Sequence, residues 1–313
     1  METRQVPSFD EFLHLRSDEV ANQVRSAGPQ VCVFPVNGTR RWFVLEHGGG
    51  DQVNQDAVEA YLRASIQRQI ELCEMLFDHG VATLLVPVLG PDLMERGDDY
   101  ALQVGVGGLM HAAEDPHFLD FYKRRNVRVR FYGDYKVGLQ NITYHDEIYN
   151  SLDRVMEQTA GNGGPRLFFG VFAHDPVQMI AKSSVEFFKA NGQIPDKRAL
   201  IESYYGEYIS PANFFIGFDK FTTFDAPLLM TGEEDLYFSV SPSPYMTEKQ
   251  LRSILYDHLY MRRVKEPEYS SLGREELDWL RDFYRSHQDV ALGTGSLKSN
   301  IWIPIQPEKG PQP

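Results

Sequence analysis

Short apolar runs alternate with longer amphipathic stretches along this chain. Residues 31–34 (Val-Cys-Val-Phe) form an apolar run that predicts a buried strand. Residues 56–79 carry helical spacing, and Gly80 supplies the stop. A second strand is predicted at 82–88, helical stretches at 98–113 and 117–125, and a third strand at 127–132. A helix over 146–158 leads through the glycine-rich segment 161–165 into a fourth strand at 166–172. Helices are predicted at 176–191 and 197–205, further strands at 214–216 and 236–240, and closing helices at 247–263 and 274–286. Strands separated by helices imply βαβ units, hence an α/β fold with a mostly parallel central sheet flanked by helices. Ligands of such sheets bind beyond the carboxyl ends of the strands. That rule places 36–41, 133–136 and 173–175 on one rim. Residues 1–303 are expected to form a single catalytic domain, with 304–313, rich in proline, as a loose tail.

Composition supports this picture and narrows it. Hydrophobic residues make up 42% of the 313, enough for a sizeable core. No apolar run approaches the roughly 20 residues of a membrane-spanning helix. Residues 1–5 are followed by no signal-peptide apolar core, so a cytoplasmic protein without a membrane span is expected. The net charge of −13 argues against nucleic-acid binding, which needs a basic face. A local basic cluster is the more informative against that background. Cys32 and Cys73 lack the CxxC spacing of a zinc site and read as small buried hydrophobes.

The cluster that stands out follows the first strand: Asn37-Gly38-Thr39-Arg40-Arg41-Trp42. Glycine lets a backbone approach a ligand closely. Adjacent arginines can make paired contacts with phosphate oxygens. A helix starting there would also point free N–H groups at an anion. From the residues alone, a phosphate grip and a solvated turn with two surface arginines both remain open.

The same hexapeptide resembles the Asp-Gly-Asn-Arg-Arg-Trp signature of cis-prenyltransferases, and most of the chain resembles their tuberculosinol synthase branch. Matching stretches include Val33-Phe34-Pro35, His79-Gly80, Arg96-Gly97-Asp98 with Tyr100, Phe131-Tyr132-Gly133-Asp134-Tyr135-Lys136, Tyr204-Tyr205-Gly206-Glu207-Tyr208, and Phe214-Phe215-Ile216-Gly217-Phe218. The resemblance implies a homodimer that binds a prenyl diphosphate. It implies Asn37, Arg40, Arg41, Tyr100 and Asp134 as catalytic candidates. Gly38, Thr39, Trp42, Tyr61, Tyr135, His174 and Phe218 are the substrate-binding candidates.

Two departures shape the expected reaction. Asn37 stands where the family has an aspartate that helps handle Mg²⁺, so a need for Mg²⁺ is left open. Elongating relatives carry Arg-x-Ser-Gly-Glu-x-Arg near the fifth strand to hold a second diphosphate. Here the stretch reads Gly217-Phe218-Asp219-Lys220, and the paired basic clamp is missing. One diphosphate site suits ionisation rather than elongation. The expected enzyme is a diterpene synthase. It ionises a cyclic C20 allylic diphosphate, supplied by a separate class II diterpene cyclase, and captures the cation with water to give a tertiary alcohol. Two alternatives stand beside it: transfer to a small nucleophile such as adenosine, and a non-catalytic prenyl-diphosphate-binding subunit.

Other motifs carry less. Asp98-Asp99-Tyr100-Ala101-Leu102 lacks the last carboxylate of an Asp-rich metal box. Gly48-Gly49-Gly50-Asp51 lacks the Lys-Ser/Thr of a phosphate-binding loop, leaving a flexible loop or a lid. His174-Asp175 reads as a rim pair or, through Asp175 and Pro176, as a helix N-cap.

Overall fold

Six parallel strands form the centre of the molecule, in the order β3-β4-β2-β1-β5-β6. The structure is a computed structural model that describes residues 6–48, 55–91 and 101–304. In chain order the described elements begin with helices α1 (Phe9–His14) and α2 (Ser17–Ser26), strand β1 (Gln30–Val33) and helices α3 (Thr39–His47) and α4 (Gln55–Asp78). Strand β2 (Val81–Leu89), α5 (Gly107–Glu114), α6 (Pro116–Arg124) and β3 (Arg128–Tyr132) follow. Then come α7 (Tyr135–Gly138), α8 (His145–Thr159), β4 (Arg166–Val171), α9 (Pro176–Asn191) and α10 (Lys197–Tyr205). Strands β5 (Phe214–Phe218) and β6 (Asp235–Ser239), helices α11 (Glu248–Tyr256) and α12 (Arg274–Ser286), and an antiparallel hairpin of β7 (Gly295–Lys298) and β8 (Ile301–Pro304) complete the chain.

The inner strands β1, β2, β4 and β5 are largely buried on both faces, as a parallel sheet covered by crossovers requires, while the edge strands β3 and β6 are partly exposed. Cys32, Leu84, Val129, Phe169 and Ile216 pack on one side, beneath helices carrying Phe12, Leu76, Phe121 and Leu251. Val31, Val33, Leu85, Phe168 and Phe215 face the other side, against Ile201, Tyr205 and Leu229. Both cysteines belong to the first cluster, and burial pushes the Cys73 thiol up to about 12. They serve as small core residues.

Several helices begin and end where their local signals place them. Asp175 caps α9 by accepting from the Gln178 N–H, Pro176 opens the helix, and Gly192 ends it in the left-handed conformation. The helix expected over 247–263 is α-helical only to Tyr256 and continues as a π-helical turn, Asp257–Met261. In the stretch expected to be helical from 98, residues Ala101–Val106 form another π-helical turn before α5. Residue 304 is not part of a loose tail, because Pro304 closes β8. The hairpin turns on Ser299 and Asn300, both at positive φ, and such turns favour short polar residues. Residues 305–313 lie outside the described residues. No described helix is long and apolar enough to cross a membrane.

The connectivity fixes where a ligand should sit. From β1 the chain crosses to β2 on one side, whereas from β5 it crosses to β6 on the other. The β1/β5 boundary is therefore the point where strand order reverses, the usual ligand crevice of open parallel sheets. The loop after β1 and the loop after β5 line it.

Candidate functional site

Beyond β1 the backbone is stitched to the loop after β6. The Asn37 N–H lies 3.0 Å from the Pro35 carbonyl and 3.1 Å from Ser243 Oγ. The Ser243 N–H donates to the Asn37 carbonyl at 3.0 Å. Gly38 follows at φ 77°, ψ 14°, left-handed backbone that suits glycine. Space demands glycine too: a Cβ there would lie 2.8 Å from Phe218 Cε1 and 2.9 Å from Pro242 Cβ. Three rim loops thus meet at residue 38.

Helix α3 starts directly after Gly38, which offers no side-chain cap to its first turn. The early N–H groups of a helix have no intrahelical acceptor, so this end favours an anion. The helix is held in place by its neighbours. Thr39 Oγ1 and Tyr61 Oη of α4 are 2.7 Å apart, and the Phe43 ring meets Tyr61 edge-on at 5.5 Å. Trp42 packs edge-on against His47 at 5.4 Å. The Tyr61→Phe variant removes one hydrogen bond at the start of α3 and should lower stability by about 0.5–1.5 kcal/mol, read by chemical denaturation. An unchanged unfolding midpoint would show that the hydroxyl does not anchor the helix.

Arg41 is the cation whose geometry is best defined. Its guanidinium carbon lies 5.2 Å from the centre of the Phe218 ring, a cation–π contact. Its Nη2 lies 3.5 Å from Oδ2 of Asp219. Arg40, one residue earlier, is exposed at the same helix start. Asp219 leaves β5 at φ 71°, with its N–H donating to the Ser239 carbonyl at 3.3 Å. Its Oδ1 is buried without a hydrogen-bond partner.

The missing clamp residue has a steric reason. A Cβ on Gly217 would lie 2.7 Å from the Phe238 ring and 2.8 Å from that of Phe215. An arginine at 217 has no room, because aromatic rings fill its place. Lys220 lies nearby but exposed. Among the described residues, the β1/β5 rim carries Arg40 and Arg41 at the start of α3.

The other candidates lie elsewhere on the rim. Asp134 follows β3, precedes α7 without a side-chain capping bond, and pairs with Lys182 at 3.5 Å, both half-exposed. Tyr135 is half-buried, and burial together with nearby Asp153 and Tyr149 raises its hydroxyl above the ordinary value. These residues line a cavity of about 680 Å³ with Arg130, Lys136, Lys182 and Tyr204. His174 is exposed beside Phe172, ring centres 6.5 Å apart, while Asp175 takes the N-cap role. Strands β4 and β2 intervene between β3 and β1. At ~4.8 Å per strand, the end of β3 with Asp134 and Tyr135 stands about 14 Å from that of β1, and the end of β4 with His174 about 10 Å. The structure therefore brings Asn37, Gly38, Thr39, Arg40, Arg41, Trp42, Tyr61 and Phe218 together and sets Asp134, Tyr135 and His174 apart. Tyr100 and residues 49–54 of the glycine-rich loop lie outside the described residues.

Sequence reasoning missed Asp219, Pro242 and Ser243. The available signal was an acid placed directly after a strand on the same rim. Its pairing with Arg41 spans a long stretch of sequence that periodicity cannot bridge. For a metal, the donors at β1/β5 among the described residues are sparse: a neutral amide at Asn37 and one carboxylate already paired with arginine. Among the described residues, no cluster of three or more His, Cys, Asp or Glu is arranged to hold a cation. The donor set suits a cation only if the diphosphate brings it in and supplies most of its ligands.

Comparison with known proteins bears on this site. No family model matches the chain. It is 42% identical over 297 residues to tuberculosinyl adenosine transferase of Mycobacterium tuberculosis, covering 95% of this chain and 98% of that protein. It is 27% identical over 307 residues to (+)-kolavelool synthase of Herpetosiphon aurantiacus, covering 96% of each. Among solved structures, lavandulyl diphosphate synthase from Lavandula x intermedia superposes with a TM-score of 0.55 at 12% identity, covering 80% of this chain and 99% of that one. A probable undecaprenyl diphosphate synthase from Campylobacter jejuni gives 0.53 at 13%, covering 76% and 97%.

Proposed function

Since the chain belongs to the tuberculosinyl adenosine transferase family, we propose that it ionises a cyclic C20 allylic diphosphate gripped at the 37–41 turn. The observation that carries this reading is Arg41 at the start of α3, in the β1/β5 crevice, with residue 217 filled by aromatic packing. Arg40, Arg41 and the first N–H groups of α3 stabilise charge as it builds on the departing diphosphate. Asn37, Gly38 and Thr39 shape the turn that receives it. Val44 and Leu45 lie exposed one helical turn beyond Arg41, an apolar surface for the hydrocarbon. Phe218, Trp42 and Phe43 are the aromatic faces nearest the developing cation.

The reaction balances simply. The allylic C–O bond breaks and its electron pair leaves with the diphosphate. Water adds at the tertiary carbon of the cation, and its proton passes to solvent. The products are a tertiary diterpene alcohol and diphosphate. Mg²⁺, if it binds with the substrate, would neutralise charge on the leaving diphosphate, and Asn37 would be the neutral residue at the turn available to hold it. Asp134, Tyr135 and His174 belong to the proposal as groups toward the hydrocarbon and nucleophile, and Tyr100 belongs to it by its sequence context alone. A class II cyclase supplying the substrate, and a cytoplasmic setting, complete it. Homodimer formation is supported by α12, which buries no residue and exposes Trp279, Phe283 and Tyr284.

The 42% identity to tuberculosinyl adenosine transferase favours a second reading, in which adenosine takes the place of water. One incubation separates the two. The protein is given geranylgeranyl, copalyl, halimadienyl and kolavenyl diphosphates, with and without adenosine and Mg²⁺, and products are read by mass spectrometry. A tertiary alcohol is expected from a bicyclic substrate. A prenylated nucleoside would replace that reading with transfer, and no turnover would leave a non-catalytic binding subunit.

A further inference from the structure

We propose that Asp219 is a positioning residue that trades places with diphosphate on Arg41, holding the arginine when the site is empty and helping product diphosphate leave. The inference rests on the diphosphate reading of the 37–41 turn and deepens it.

Three observations carry it. Asp219 leaves the carboxyl end of β5 into the same crevice as α3, and its Oδ2 lies 3.5 Å from Arg41 Nη2. That is longer than the roughly 2.7–2.9 Å of a well-made charge-assisted hydrogen bond. The second oxygen, Oδ1, is buried and has no hydrogen-bond partner. A carboxylate that is half-satisfied and loosely paired is poorly suited to anchoring the fold. It is well suited to be a counter-ion that another anion displaces.

The ring beneath Arg41 explains why exchange need not move the arginine. Phe218 lies under the guanidinium at 5.2 Å and sits close against Gly38, where a Cβ would lie 2.8 Å from its ring. The ring sets the height of the guanidinium, and Asp219 sets its direction. When the substrate's diphosphate arrives, its oxygens satisfy the guanidinium better than one distant carboxylate oxygen. After ionisation the same carboxylate competes for Arg41 and repels the free diphosphate. Asp219 thus weakens diphosphate binding while keeping the empty site ordered.

The test is the affinity of inorganic diphosphate, measured by titration calorimetry for the full chain with EDTA and again with Mg²⁺. Asp219→Asn removes the charge and keeps a residue that tolerates left-handed backbone. Asp219→Gly removes the charge and the side chain together and keeps a residue that adopts φ 71° freely. Both variants should bind diphosphate roughly tenfold more tightly than wild type, since a like charge beside the anion is gone. In turnover, kcat and KM should fall together and product inhibition should strengthen, a pattern that loss of packing does not produce. Equal or weaker diphosphate binding by both variants would overturn the exchange role. An Arg41→Ala control separates the two layers. If it loses diphosphate binding while Asp219→Asn gains none, the exchange role fails alone. If it keeps wild-type affinity, the diphosphate site itself fails.

Discussion

Replacing Arg41 with alanine should lower kcat by about 10²–10³-fold and leave the protein folded. The magnitude is that of removing one preorganised donor from a developing anion. The stability effect is small because Arg41 makes one loose ion pair and one ring contact at a partly exposed position. Exposed pairs and surface cation–π contacts contribute about 1 kcal/mol or less. The variant separates function from folding, which a core substitution would not. Steady-state kinetics and a thermal melt read both arms. Arg41→Ala activity within twofold of wild type would place the diphosphate elsewhere. Arg40→Ala should act in the same direction, since Arg40 starts the same helix.

The second large effect is expected at Gly38, which contacts no substrate through a side chain. Gly38→Ala places a Cβ within 3 Å of both Phe218 and Pro242, on backbone at φ 77°. Left-handed backbone costs an alanine about 1–2 kcal/mol, and the overlap adds to it. Relief requires the Phe218 ring or the Pro242 loop to move, and Phe218 carries the Arg41 guanidinium. A displacement near 1 Å at a catalytic group can cost about 10²-fold. Gly38→Ala should therefore lose about 1–3 kcal/mol of stability and about 10–100-fold in kcat/KM. Wild-type kinetics with a lowered melting temperature would mean that the Phe218–Arg41 contact does not matter to turnover.

Much of the frame was legible because local signals agreed with tertiary need. The α9 limits of 176–191 were readable from Asp-Pro at one end and Gly192 at the other. The six strands were readable as short apolar runs, since a doubly covered sheet needs no alternation. Helix α3 was foreseen only conditionally, because it buries no residue and so shows no apolar stripe to reveal it. The short helices α1 and α2 and the β7–β8 hairpin were missed. Each has few turns or few buried residues, so periodicity has little to act on.

At the site, Gly38, Arg40 and Arg41 were legible from their types and from their place after β1. Their partners were not. Asp219, Pro242 and Ser243 reach the turn through β5 and β6, and only the sheet order puts those strands beside β1. Resemblance flagged Gly217 as a departure; the Phe238 and Phe215 rings that leave no room for a side chain there are visible only in three dimensions. Asp134 and Tyr135 were placed on the right rim. Linear sequence did not show that two strands would separate them from the arginines.

That separation defines the most direct measurement: a crystal structure with a non-ionisable C20 thiolodiphosphate bound. The account predicts the diphosphate over the start of α3, its oxygens on Arg41 and the first N–H groups of the helix, with Asp219 displaced from the guanidinium. Diphosphate bound instead in the cavity between Asp134 and Lys182, with Arg41 still paired to Asp219, would contradict it.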